Sequence, residues 1–243
     1  MEAQELVEAA RDGGTELADS ADGRLERPVP SCPGWTVGDL VGHVAGVCEF
    51  WTAILGGTPP GEVQFGPSAG LGEEIGHLRQ RLDALLASID GADPAARCWT
   101  WAPWAQNVGF VQRRMAQEMA IHRWDAANAV GDPAPVPIGL AVDGLDEFLH
   151  LFLGRRPAPG AEPVEGSVLL HATDCEGAGE WEIVPAPGTD TGFDVRAGHA
   201  KSDAVLRGMA SDLLLTLWRR TDGAVEVLGD VRVARRFLAA STL

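Results

Sequence analysis

The chain has 243 residues, 45% of them hydrophobic, and carries a formal net charge of -16 at pH 7. That length suits one large or two modest domains, and the charge speaks against nucleic acid and anionic membranes as partners, because both attract basic surfaces. No apolar run approaches a membrane span, and Met1-Glu2-Ala3-Gln4-Glu5 lacks the basic, then apolar, pattern of a secretory signal. Cys32, Cys48, Cys98 and Cys175 show no Cys-x-x-Cys spacing, so a cytoplasmic protein with reduced thiols is expected.

In chain order, residues 2–21 predict a helix carrying Leu6, Val7, Ala10, Leu17 and Ala18, weakened by Gly13-Gly14. Arg27-Pro28-Val29-Pro30 breaks it. Thr36-x-x-Asp39 then announces a second helix, and Trp35 before it either staples the helix start or covers a site. Residues 56–70, rich in Gly and Pro, predict a loop, a connector or a lid. Ile75, Leu78, Leu82, Leu85 and Ile89 alternate at three and four in a bundle helix over 71–89. Trp99, Trp101 and Trp104 crowd a non-helical segment that either walls a pocket or plugs the bundle end. Helices are predicted over 107–130 and 138–153.

Arg155-Arg156-Pro157-Ala158-Pro159-Gly160 reads as a linker, giving domains at 1–155 and 156–243. Beyond it, period-two patterns predict strands over 167–173, 181–184 and 193–196, and His171 alternates onto an exposed sheet face. A helix over 202–220 with Val205, Met209, Leu213 and Leu217, a strand over 225–228 and a helix over 231–240 complete a small α+β lobe.

The chemistry concentrates in Gln117-Glu118-Met119-Ala120-Ile121-His122-Arg123-Trp124-Asp125. At 100° per residue, Glu118 and His122 fall in one narrow sector with Val111, Met115 and Ala129, at the centre of an apolar stripe. A buried carboxylate is costly without a partner, and a divalent cation held by Glu118 and His122 is one solution, since residues four apart project together. His43, on the flank of the second helix beside Val47, Phe50 and Ile54, is the candidate third ligand. A hydrogen-bonded core pair meets the same spacing, so the residues alone leave both readings open.

Pro30-Ser31-Cys32-Pro33-Gly34-Trp35-Thr36-Val37-Gly38-Asp39-Leu40 with His43, then Glu118 to Ala126, resemble the two signatures of the mycothiol-dependent maleylpyruvate isomerase family, whose fold is DinB-like. The likeness extends to Ala210-Ser211-Asp212-Leu213-Leu214-Leu215-Thr216-Leu217-Trp218-Arg219-Arg220 and Leu228-Gly229-Asp230 in the C-terminal domain, and so spans most of the chain. The resemblance implies an N-terminal DinB-like four-helix bundle with a smaller C-terminal α+β domain. It implies that His43, Glu118 and His122 bind a divalent metal, usually zinc, and that mycothiol is the thiol cofactor. It also implies that Arg220 is a catalytic arginine serving a substrate carboxylate, although Arg219 departs from the small residue expected beside it.

The implied reaction is isomerisation by reversible thiolate addition to an unsaturated dicarboxylate. The resemblance leaves two alternatives: a mycothiol S-transferase acting on an electrophilic small molecule, and a non-catalytic metal-binding or regulatory protein. The expected partners are a small-molecule substrate and a low-molecular-weight thiol, with neither nucleic acid nor membrane. An end-of-helix arginine satisfying its own last carbonyls is the competing reading of Arg220.

Overall fold

In the computed structural model, residues 1–240 are described except 65, 68–73, 156–159, 176, 178 and 190. The chain divides into two compact units, Met1–Val136 and Pro137–Leu243.

The first unit is a bundle of four helices, α1 (Ala3–Ala21), α2 (Val37–Leu55), α3 (Glu74–Ile89) and α4 (Val108–Val130). α2 starts at a reciprocal cap: the Asp39 N–H donates to Thr36 Oγ1 (3.2 Å) and the Thr36 N–H to Asp39 Oδ2 (2.8 Å). Such a cap stabilises a helix by about 1 kcal/mol. The Thr36 N–H and the Thr36 hydroxyl, which donates to Asp39 Oδ2 at 2.7 Å, hold the Asp39 carboxyl below the usual carboxylate range. α4 starts where Asn107 Oδ1 accepts the Phe110 N–H at 2.9 Å. Leu17, Leu40, Val44, Leu78, Leu85, Met115 and Met119, all fully buried, fill the space between the helices.

Gly13-Gly14 does not weaken α1, which runs through both residues. A Cβ on Gly13 would lie 3.0 Å from Met119 Cβ and 3.3 Å from its backbone, and one on Gly14 would lie 2.6 Å from Leu82 Cδ2. The two glycines are what lets α1 approach α3 and α4 so closely. Helix propensity yields here to packing.

The second unit begins with α5 (Ile138–Leu151) and contains a five-stranded sheet in the order β3-β2-β1-β4-β5. Its strands are β1 (Val168–Ala172), β2 (Glu180–Pro185), β3 (Phe193–Ala197), β4 (Ala204–Gly208) and β5 (Glu226–Gly229). β1 and β4 are parallel, and every other neighbouring pair is antiparallel. Two helices complete the unit, α6 (Ala210–Leu217) after β4 and α7 (Val231–Ala239) after β5.

One expectation, the single helix over 202–220, is corrected. The two compact units meet at Val136/Pro137, whereas the domain boundary expected from sequence follows residue 155; α5 lies in the second unit, where Phe148 and Phe152 meet Trp218 edge to face with ring centroids 5.4 and 5.0 Å away. Four residues of the expected linker, 156–159, lie outside the described residues. The segment 202–220 is a strand and then a helix. Ala204 and Leu206 are buried on alternate positions where β4 pairs with β1, and the helix starts only at Ala210. Among the described residues, no helix is long and apolar enough to cross a membrane.

Candidate metal centre

Residues 29–35 form a closed loop ahead of α2. The Val29 N–H donates to the Trp35 carbonyl (2.9 Å), and within the loop the Cys32 N–H donates to Val29 O (3.1 Å) and the Trp35 N–H to Cys32 O (3.0 Å). This loop delivers Ser31 and Cys32 onto α4, and Trp35 onto His43.

α2 and α4 bring together the three side chains expected from sequence. Glu118 Oε1 lies 3.2 Å from His43 Nε2 and 3.3 Å from His122 Nε2. Each of the three residues offers one ligand atom, and these atoms all lie within 4.8 Å of one another. The other oxygen, Glu118 Oε2, accepts from Arg114 Nη2 at 3.3 Å, one helical turn earlier. The rings of His43 and His122 meet edge to face, with centroids 5.1 Å apart.

His122 is fixed from behind. Its Nδ1 lies 2.9 Å from Asp125 Oδ2, and Asp125, fully buried, also accepts from Ser31 Oγ (2.6 Å) and the Cys32 thiol (3.8 Å). A carboxylate only accepts, so Nδ1 carries the proton and Nε2 is directed at Glu118.

Burial opposes ionisation of Glu118, but hydrogen bonds from His122 and His43 and the charges of His122 and Arg114 outweigh it, holding the carboxyl well below its ordinary range. Burial likewise opposes protonation of His122, and its bonds to Asp125 and Glu118 win, lifting the ring to about 9. Without a metal the centre is an imidazolium held between two carboxylates. Cys48, buried in α2, is pushed up to about 12 by burial and by the Glu118 charge, which makes it an inert thiol.

The donor set fits a borderline divalent cation. Metal arms of about 2.0–2.1 Å at tetrahedral angles place neighbouring ligand atoms about 3.3–3.4 Å apart, which matches the two spacings at Glu118. Two imidazoles and a carboxylate suit zinc and leave a coordination position unfilled by protein.

His43 opens onto a cavity of about 410 Å³ that Gly34, Trp35, Asp39, Gly66 and Pro67 also line. Trp35 packs against the bundle core and also faces this cavity, its ring 5.2 Å from that of His43. The 56–70 loop reaches the same cavity through Gly66 and Pro67, while its residues 65 and 68–70 lie outside the described residues. The tryptophan segment lies elsewhere: Trp101 packs edge-on against Phe110 (5.3 Å), Trp99 against Phe50 (6.3 Å), and Trp104 is exposed.

Arg220 belongs to the second unit, just past α6. Its Nη1 donates to the Trp218 carbonyl at 2.7 Å, and its guanidinium sits 5.9 Å from the Trp218 ring centroid. Arg219 beside it adopts φ 60, the left-handed conformation that ends many helices and that glycine takes without cost, which accounts for a small residue being expected there. Asp125, Arg114 and Ser31 were not anticipated as site residues. A carboxylate three residues after a candidate histidine ligand was the available signal for Asp125.

Residues 6–127 match the family model described as mycothiol maleylpyruvate isomerase N-terminal domain, and residues 139–236 match the MDMPI C-terminal domain. Each segment falls within one of the two compact units. Comparison with curated proteins finds no match. Two solved structures share the fold: the crystal structure of the mycothiol-dependent maleylpyruvate isomerase (TM-score 0.61) and that of a histidine-to-alanine mutant of it (TM-score 0.60). Each is 16% identical to this chain, with 95% of both chains covered. With both halves matched, the chain belongs to the mycothiol maleylpyruvate isomerase family, a family of enzymes.

Proposed function

We propose that this chain is a metal-dependent isomerase of maleylpyruvate type that uses mycothiol as its thiol cofactor. The observation that carries the reading is the convergence of His43 Nε2, His122 Nε2 and Glu118 Oε1, with His43 also lining a cavity sized for a small molecule. Family membership and the shared fold supply the reaction class and the thiol.

A divalent ion bound by the three side chains supplies the positive charge that keeps a thiol ionised at neutral pH. Glu118 provides the anionic ligand, and Arg114 restrains its second oxygen. Asp125 holds His122 in the tautomer whose Nε2 faces the ligand cluster. Trp35 and the Gly66-Pro67 segment wall the cavity beside His43.

The reaction is cis to trans isomerisation of an unsaturated dicarboxylate. The thiol cofactor, when bound and ionised, would supply a nucleophile that adds reversibly to the double bond and is regenerated, so that the bond could rotate with no atom gained or lost. Arg220 is the candidate for a substrate carboxylate, on the family resemblance and on the forked donors of a guanidinium.

The test is an assay of trans product and of mycothiol together, with purified zinc-loaded protein and the cis substrate. The reading expects product to accumulate with mycothiol undiminished, and activity to fall at least about a hundredfold in His43→Ala. Stoichiometric loss of mycothiol to an electrophile would replace it with an S-transferase. A folded, zinc-loaded protein with no turnover of either kind would leave a binding protein.

A further inference from the structure

The second unit holds another group of metal-ligand side chains, remote in sequence from the first. His171 and Glu180 are cross-strand partners on β1 and β2. The Gly198 N–H donates to the Glu180 carbonyl at 2.9 Å, which carries the β2–β3 ladder one step past β3 and sets His199 beside the same carboxylate. Glu180 Oε1 lies 2.6 Å from His171 Nδ1 and 2.9 Å from His199 Nδ1. The three candidate ligand atoms all lie within 4.8 Å of one another.

We infer that His171, Glu180 and His199 form a second divalent-cation site, of the zinc class, that ties the end of edge strand β3 to β1 and β2. Two imidazoles and one carboxylate suit zinc, nickel or copper rather than calcium or magnesium, which favour all-oxygen ligand sets. The rings reach a single oxygen through the same nitrogen, an arrangement in which one dication replaces two shared protons. Side-chain exposures of 33% for His171, 22% for Glu180 and 73% for His199 admit an ion from solvent and leave water to complete its coordination.

The separations also rank the two sites. At 2.6 and 2.9 Å the donors sit at hydrogen-bond distance, closer than the roughly 3.3–3.4 Å edge of a tetrahedral zinc site, so loading requires both rings to draw back from Glu180, His171 the further. The bundle trio already has the wider spacing. The second site therefore binds more weakly and empties first under a chelator. Its occupation stabilises the folded chain by mass action.

Equilibrium dialysis of the full chain against buffered zinc, followed by elemental analysis, tests this with His171→Ala, His199→Ala, His43→Ala and the His43→Ala/His199→Ala pair. His199 lies in an exposed segment, so its replacement leaves the fold intact, as circular dichroism will check. The expected contents are about two zinc ions per wild-type chain, about one in each single variant and none in the pair. If the bundle reading alone fails, the wild type binds about one ion and His199→Ala none. Wild-type zinc content and affinity retained in both His171→Ala and His199→Ala would overturn the second site.

Discussion

His122 Nδ1 and Asp125 Oδ2 lie 2.9 Å apart, and this contact decides which way α4 presents the His122 imidazole. Asp125 is itself held by Ser31 from the loop before α2, so the two signature segments meet at this one carboxylate. Asp125→Asn preserves the shape but removes the negative charge and exchanges one of the two accepting oxygens for an N–H donor, so His122 and Ser31 can no longer both be accepted by a carboxylate. We expect zinc affinity at the bundle trio to fall about 10–100-fold, with the fold intact by circular dichroism. Titration of the His122 ring by NMR should show its pKa falling from about 9 towards 6.5 in the same variant. An unchanged affinity would remove Asp125 from the account.

The metal-free protein should show a pH window of its own. His122 is raised from 6.5 to about 9, so the stability it contributes is complete below about 6.5 and is lost as pH rises through 9. Glu118 is depressed, so its contribution is complete above 4.5 and is lost as pH falls through its lowered value. Urea unfolding of chelator-treated protein should therefore find greatest stability between about pH 4.5 and 6.5 and a decline towards pH 10. Zinc should bind more tightly as pH rises to about 9, since the ion displaces the Nε2 proton. A flat metal-free profile from pH 6 to 10 would contradict the charged state assigned to His122.

Gly13→Ala is predicted to destabilise the bundle although alanine is the better helix former. Propensity favours the variant by about 1 kcal/mol. Against that, the new Cβ meets Met119 Cβ at 3.0 Å and its backbone at 3.3 Å, and overpacking of this kind costs about 1–3 kcal/mol. Because Met119 adjoins Glu118 in sequence, zinc affinity should weaken along with urea stability. A more stable protein would show that α4 yields at no cost.

Arg220→Lys separates two roles. If the guanidinium meets a substrate carboxylate, kcat/KM should fall about 10–100-fold with zinc content unchanged, because lysine cannot form the forked pair. If its hydrogen bond to the Trp218 carbonyl is its whole function, kinetics should survive and only stability should drop.

The bundle and its donor trio were legible in the sequence because the signals are local. Thr36 and Asp39 mark a helix start, Glu118 and His122 share a face by spacing, and Asn107 and Gly131 close the two ends of α4. What sequence misplaced depends on partners far along the chain. Val205, Met209, Leu213 and Leu217 fit a helical period, yet β4 forms because Ala204 and Leu206 pair with β1 more than thirty positions earlier. Gly13-Gly14 looked like a weakness until Met119 and Leu82 were beside it. His171 reads as an exposed sheet position, and only strand pairing reveals Glu180 and His199 around it.

The most direct test of the bundle centre is an anomalous difference map, recorded at the zinc edge, from crystals of zinc-loaded protein. The account predicts a peak about 2.0–2.1 Å from His43 Nε2, His122 Nε2 and Glu118 Oε1. A map with no peak there, the imidazoles still hydrogen-bonded to Glu118 while zinc is present in the crystal, would contradict it.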